Sequence, residues 1–150
     1  KIIANLKAGY PQLSLWQDVV KRQAKVRRYS ETWLGRRRYL PGIVSDDWGK
    51  KSFAERCAMN TPIQGTAADI LKLALGRLIV ELPDYPWLRP LLQIHDELVF
   101  ELPADKVEEA TALIRSCMEA QPFPEFDVPI VAEAAFGPSF GELAEMEVAR

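Results

Sequence analysis

The sequence predicts an α+β fold: an antiparallel sheet backed by a long kinked helix and flanking helices. Three observations carry this. Apolar residues recur at helical spacing over 11–29, 48–81 and 103–120. Between the last two lies a β-prone stretch, Leu91-Leu92-Gln93-Ile94-His95-Asp96-Glu97-Leu98-Val99-Phe100-Glu101, whose polar triplet marks a turn. Glycine and proline punctuate the chain at Gly35, Pro41-Gly42, Pro83 to Pro90 and Gly137-Pro138.

Taken in order, Pro11 suits the first turn of a helix running to Tyr29, with Leu13, Trp16, Val20 and Ala24 on one face and Lys21, Lys25 and Arg28 on another. Thr32 to Leu40 reads as a hairpin turning at Gly35. Segment 43–50 reads as a loop in which Ser45, Asp46 or Asp47 can cap the next helix. That long helix, 48–81, is interrupted by Pro62, which predicts a kink or broken turn near Asn60–Pro62. A hairpin over 88–102 follows. Pro103 then opens an amphipathic helix to Ala120 with Val107, Ala110, Leu113, Ile114 and Cys117 inward, and 127–136 reads as a last strand before a polar tail.

Composition bounds the function. With 150 residues, 48% hydrophobic and 27% charged, the chain suits one folded domain. No apolar run approaches the ~18–20 residues of a membrane span, and the start is too short and polar-interrupted for a signal peptide. Cys57 and Cys117 stand in no metal-ligand spacing and read as a reduced, intracellular pair. The net charge of −2 conceals an asymmetry: residues 1–60 carry 13 Lys+Arg against 5 Asp+Glu, whereas 61–150 carry 6 against 16. The split suits a basic face for a polyanion and an acidic half that concentrates cations, unless the charges mix in three dimensions.

Three constellations are chemically suggestive. Asp96 and Glu97 sit beside His95, the chain's single histidine, at a hairpin tip. Such a turn presents carboxylate oxygens to a hard cation such as Mg²⁺, or is simply solvated. The lone histidine removes the multi-histidine phosphohydrolases and leaves no hydrolase triad. Arg56, Asn60 and Gln64, at i, i+4 and i+8, line one helix stripe if the helix survives Pro62. They are either a solvated polar face or donors to the minor-groove acceptors, purine N3 and pyrimidine O2, which A·T and T·A place in nearly equivalent positions. Arg36, Arg37 and Arg38, between Trp33 and Tyr39, either contact nucleic-acid phosphates or form plain surface.

Together and in this order, three segments resemble the C-terminal part of the palm of family A DNA polymerases. They are Gly35-Arg36-Arg37-Arg38-Tyr39-Leu40-Pro41, then Glu55-Arg56-Cys57-Ala58-Met59-Asn60-Thr61-Pro62-Ile63-Gln64-Gly65-Thr66-Ala67-Ala68-Asp69-Ile70, and finally Gln93-Ile94-His95-Asp96-Glu97-Leu98, which matches the family's motif C. The second segment is very specific. The likeness runs from about Tyr10 to Phe136 and is loose in the tail, where Phe140 stands at a position the family often fills with tryptophan.

The resemblance implies a palm-type sheet containing the motif C hairpin, and a DNA-directed DNA polymerase using two Mg²⁺ ions. Asp96 would ligate the catalytic metals, Glu97 would support it, and His95 would lie against the primer end. Arg56, Asn60 and Gln64 would contact the primer-template, and Arg36, Arg37 and Arg38 would form a basic turn near the template. It further implies that 1–150 is a palm portion, with a basic helix and hairpin in 1–45, the kinked helix in 46–82, and the motif C hairpin, helix and last strand in 83–140. The family's Asp-Tyr-Ser-Gln-Ile-Glu strand, bearing its first catalytic aspartate, and its triphosphate-binding fingers helix have no match here. Lys1 is therefore expected to be internal to a longer, cytoplasmic polymerase whose N-terminal part supplies thumb, fingers and first palm segment. The metal site would be shared with that carboxylate, the substrates would be primer-template DNA and a dNTP, and this chain alone is expected not to polymerise. The alternative is a non-catalytic nucleic-acid-binding module derived from a polymerase palm.

Overall fold

The computed structural model describes residues 2–146, with side chains from residue 5 onward. Two compact units divide the chain, Lys1–Asp69 and Ile70–Arg150. The sequence's charge split follows them, since the first carries 13 Lys+Arg against 6 Asp+Glu and the second 6 against 15. The α+β expectation holds, with the antiparallel pairing taking the form of three separate two-stranded ladders among the described residues.

In the first unit, helix α1 (Ile2–Gly9), to which the sequence reading gives no element, precedes helix α2 (Pro11–Arg27). Pro11 occupies the first helical turn as expected, where a missing N–H costs nothing. The helix stops two residues before Tyr29 because Arg28 takes a left-handed conformation, φ 65°, and donates its N–H to the Ala24 carbonyl. The hairpin is also displaced from its expected 32–40. Strand β1 is Tyr29–Glu31 and β2 is Arg37–Tyr39, paired Tyr29 to Tyr39 through Glu31 to Arg37. Gly35 does make the turn, at φ 84°. Trp33 and Leu34 belong to that turn and are largely exposed, so their apolar character marks no strand.

A 3₁₀ turn at Pro41–Val44 buries Ile43, and helix α3 (Trp48–Asn60) follows. Asp47 is its cap: Oδ1 accepts from the N–H groups of Gly49 at 2.8 Å and Lys50 at 3.2 Å. Ala24, Leu40, Ile43, Ala54, Cys57 and Ala58 form the core of this unit, with Val20 packed against it. The interruption expected at Pro62 is a π turn, Thr61–Gly65, from which helix α4 (Thr66–Glu81) continues.

In the second unit Leu71, Ala74 and Leu78 of α4 are buried at the spacing of one helix face. Strands β3 (Arg89–Ile94) and β4 (Glu97–Glu101) form the expected hairpin, with a bulge between Pro90 and Leu92. Helix α5 (Val107–Glu119) buries Ala110 and Cys117, and half-buries Val107, Leu113 and Ile114. Arg77 donates to the carbonyls of Cys117, Ala120 and Gln121 at the end of α5, which lack helical partners.

The expected strand at 127–136 is mostly not one. Just Ala135–Phe136 (β5) is paired, with Ala144–Glu145 (β6) in the tail. Pro129 brings no ladder donor. Side chains of α5 hold the segment instead, as Arg115 Nε donates to the Ala132 carbonyl at 3.1 Å and Ala132 N–H donates to Glu119 Oε1 at 2.8 Å. The reading of the tail beyond Met146 lies outside the described residues.

Candidate nucleic-acid interface and metal-binding turn

Pro62 explains the π turn from the backbone up. Without an N–H it cannot donate to the Ala58 carbonyl four residues earlier, and its ring would crowd that carbonyl. The freed Ala58 oxygen accepts from Ser30 Oγ of β1 at 2.9 Å. Thr61 Oγ1 donates to the Cys57 carbonyl at 2.7 Å, and Thr66 Oγ1 to the Pro62 carbonyl at 2.6 Å. The β1–β2 turn closes over this segment. Trp33 N–H donates to Thr66 Oγ1, Arg36 Nη2 to the Gly65 carbonyl, and Arg36 Nε to Asp69 Oδ1 at 2.7 Å. Gly65 is required by that approach: a Cβ there would lie 2.6 Å from Thr32 Cγ2, and Thr32 is buried.

The chain stays helical through Pro62, as the stripe requires, but in π rather than α form. Arg56, Asn60 and Gln64 are all exposed. Arg56 donates to Ser52 and lies 5.9 Å from the Phe53 ring centre. Asn60 ends α3, while Gln64 lies inside the π turn, whose extra residue per turn shifts it from its place on an ideal helix.

The three arginines part company. Arg36 is engaged inside the fold, as above. Arg37 lies 4.6 Å over the Tyr29 ring and 3.5 Å from Glu31, and the Tyr29 neighbour, ahead of Glu31, raises its already high pKa. Arg38, opposite Ser30, is exposed and has no ion pair among the described residues. On α2 the basic face is partly neutralised: Lys21 pairs with Asp18, and Lys25 with Glu55 of α3 at 2.8 Å.

Asp69 is a residue of this site to which the sequence reading gives no role of its own. It is buried in the first turn of α4, on the opposite side of the helix from Leu71 and Leu78, and a buried carboxylate demands a cation. Arg36 meets it through Oδ1, while Oδ2 has no hydrogen-bond partner among the described residues.

In the second unit the β3–β4 ladder closes at Ile94 and Glu97, so His95 and Asp96 alone form the turn. His95 adopts φ 55°, a left-handed conformation that a non-glycine residue takes with some strain. His95, Asp96 and Glu97 are exposed, and none makes a side-chain hydrogen bond or ion pair among the described residues. Asp96 and Glu97 bring hard oxygen donors, the chemistry Mg²⁺ takes, and one or two carboxylates plus water and substrate oxygens suffice for it. No group of three His, Cys, Asp or Glu able to hold a metal occurs among the described residues. The pair thus fits part of a magnesium site.

Comparison with known proteins gives the family. The profile described as DNA polymerase family A matches residues 1–142. The chain is 41% identical over 134 residues to the thermostable DNA polymerase I of Thermus filiformis, covering 86% of this chain and 15% of that protein. It is 42% identical to the DNA polymerase I of Geobacillus stearothermophilus, covering 89% of this chain and 15% of that protein. It therefore spans about 15% of the length of these curated relatives. Among solved structures, the POL domain of Pol1 from M. smegmatis, in complex with DNA primer-template and dNTP, superposes with a TM-score of 0.75 at 37% identity, over 84% of this chain and 23% of that one. The chain belongs to DNA polymerase family A.

Proposed function

We propose that this chain is the C-terminal palm portion of a DNA-directed DNA polymerase, extending a primer 3′-hydroxyl by attack on the α-phosphate of a dNTP with release of pyrophosphate. The observation that carries the reading is the exposed Asp96-Glu97 pair at the β3–β4 hairpin tip, Asp96 in the two-residue turn and Glu97 opening β4, in a chain whose relatives are DNA polymerase I. Two Mg²⁺ ions, shared with a carboxylate outside this chain, would supply activation of the hydroxyl and charge neutralisation at the triphosphate. Asp96 would present both oxygens to them, with Glu97 adding negative charge beside it. His95 would lie against the primer end. Arg56, Asn60 and Gln64 would donate to acceptors in the minor groove, testing base-pair shape without reading sequence. Arg37 and Arg38, with the basic residues of α2, of which Arg22 has no ion pair among the described residues, would grip phosphates and make binding fall with salt. Such an enzyme would work in the cytoplasm, at the nucleoid. No helix among the described residues is long and apolar enough to cross a membrane.

The test is Asp96→Ala in the intact polymerase. Single-turnover incorporation is expected to fall by roughly 10³-fold or more, the scale of several kcal/mol of lost charge stabilisation, with primer-template affinity within about threefold. Retained incorporation removes Asp96 from the metal site and favours the non-catalytic binding module.

A further inference from the structure

The proposed reading gives Gln64 a contact but not the means of aiming it. Gln64 lies in a π turn, whose wider i to i−5 bonds replace the i to i−4 bonds of the flanking helices. The bonds that tie it to the rest of the unit come from the β1–β2 hairpin. Arg36 Nη2 donates to the carbonyl of Gly65, the peptide directly after Gln64, at 3.0 Å. The same guanidinium donates through Nε to Asp69 Oδ1 in the first turn of α4. Asp69 is buried while Arg36 is half exposed, so the carboxylate is the fixed end and the arginine spans from it to the turn. Thr32 packs where a Gly65 side chain would be, and its Oγ1 accepts the Arg36 N–H at 3.1 Å. Arg36 is thus fixed at its backbone and at both ends of its fork.

We infer that Arg36 is a positioning residue for Gln64: its planar guanidinium locks the π turn in register and so aims the Gln64 amide at the minor groove. Lysine cannot replace it, because an ammonium is a point donor without the rigid fork that reaches Gly65 and Asp69 together. The inference rests on the reading of Gln64 as a minor-groove donor.

The experiment uses the intact polymerase and primer-templates in which 3-deazapurine, lacking the N3 acceptor, replaces purine in turn at each of the three base pairs nearest the primer end. The readout is the ratio of kcat/KM for the next incorporation on normal and 3-deaza DNA. The parent enzyme is expected to lose about tenfold at one position, and Gln64→Ala to lose about as much on normal DNA with no further loss on 3-deaza DNA. Arg36→Lys is expected to behave like Gln64→Ala, with its 3-deaza penalty reduced to about twofold or less, and the double variant to be no worse than Gln64→Ala alone. Asp69→Asn, which keeps an acceptor, should shrink the penalty partway and carries the test if Arg36→Lys does not fold. A full 3-deaza penalty in Arg36→Lys or, failing that, in Asp69→Asn overturns the inference while leaving Gln64's role intact. A uniform loss on both DNAs with additive effects does the same, and assigns Arg36 to phosphate contact or to stability. If Gln64→Ala itself leaves the parent's penalty unchanged, the minor-groove reading falls and this inference with it.

Discussion

The π turn at Thr61–Gly65 and the hairpin turn at His95-Asp96 both present polar side chains, yet they are stabilised in opposite ways. The π turn is braced from outside by Ser30, Trp33 and Arg36, whose bonds reach Ala58, Thr66, Gly65 and Asp69. The hairpin turn is closed by its two strands, and no side chain bonds to its carboxylates among the described residues. A side chain that checks shape has to point one way, which calls for bracing. A carboxylate that receives a cation has to be free of internal ones, because a cation already beside it would compete for the same lone pairs. Charge follows the same division, with excess Lys+Arg in the unit that holds the π turn and excess Asp+Glu in the unit that holds the hairpin.

If this contrast is right, stability is far more sensitive at the first turn than at the second. Gly65→Ala sets a Cβ 2.6 Å from a buried methyl and presses on the Thr32–Arg36 turn. It should cost about 1–3 kcal/mol of unfolding free energy, read as a lowered denaturant midpoint in the intact polymerase. A loss under about 0.5 kcal/mol would mean the hairpin can lift away freely, and the bracing argument would fail.

His95→Gly is the matching change at the second turn. Glycine relieves the positive φ of 55° but adds freedom to the unfolded chain, and these effects oppose each other. Stability should stay within about 0.5 kcal/mol, while nucleotide incorporation is expected to fall about tenfold, since the proposed function sets the imidazole against the primer end. Unchanged incorporation would reduce His95 to a turn residue.

The same contrast explains what was legible in the sequence. Local signals worked where local physics decides: Pro11 and Asp47 start helices, Gly35 turns, and the β-prone run around His95 makes its own hairpin. Pro62 announced an interruption but not its form, because the π turn depends on partners about thirty residues upstream that periodicity cannot see. Val128, Ile130 and Ala132 alternate like a strand, yet the backbone bonds of Ala132 go to Arg115 and Glu119. Pattern alone left Asp96, Gln64 and the arginines open between site and surface, and it could not foresee that Arg36 turns inward to Asp69.

The smallest expected effect separates bracing by hydrogen bonds from bracing by surface charge. Lys25 of α2 lies 2.8 Å from Glu55 of α3, and its hydrogen bond holds the Glu55 carboxyl below the usual carboxylate range. A carboxyl whose folded pKa is depressed adds stability above its unfolded pKa and loses that stability as pH falls through the folded value. The pair should therefore contribute at neutral pH and fade in the acid range. Both side chains are partly exposed, 41% for Lys25 and 27% for Glu55, so the contribution is a few tenths of a kcal/mol. Lys25→Met should lower the urea midpoint slightly at about pH 7 and not at about pH 3. An equal shift at both pH values would trace the effect to packing of the lysine stem. A shift at pH 7 as large as that of Gly65→Ala would show that charge, rather than the Thr32–Arg36 turn, is what braces the first unit.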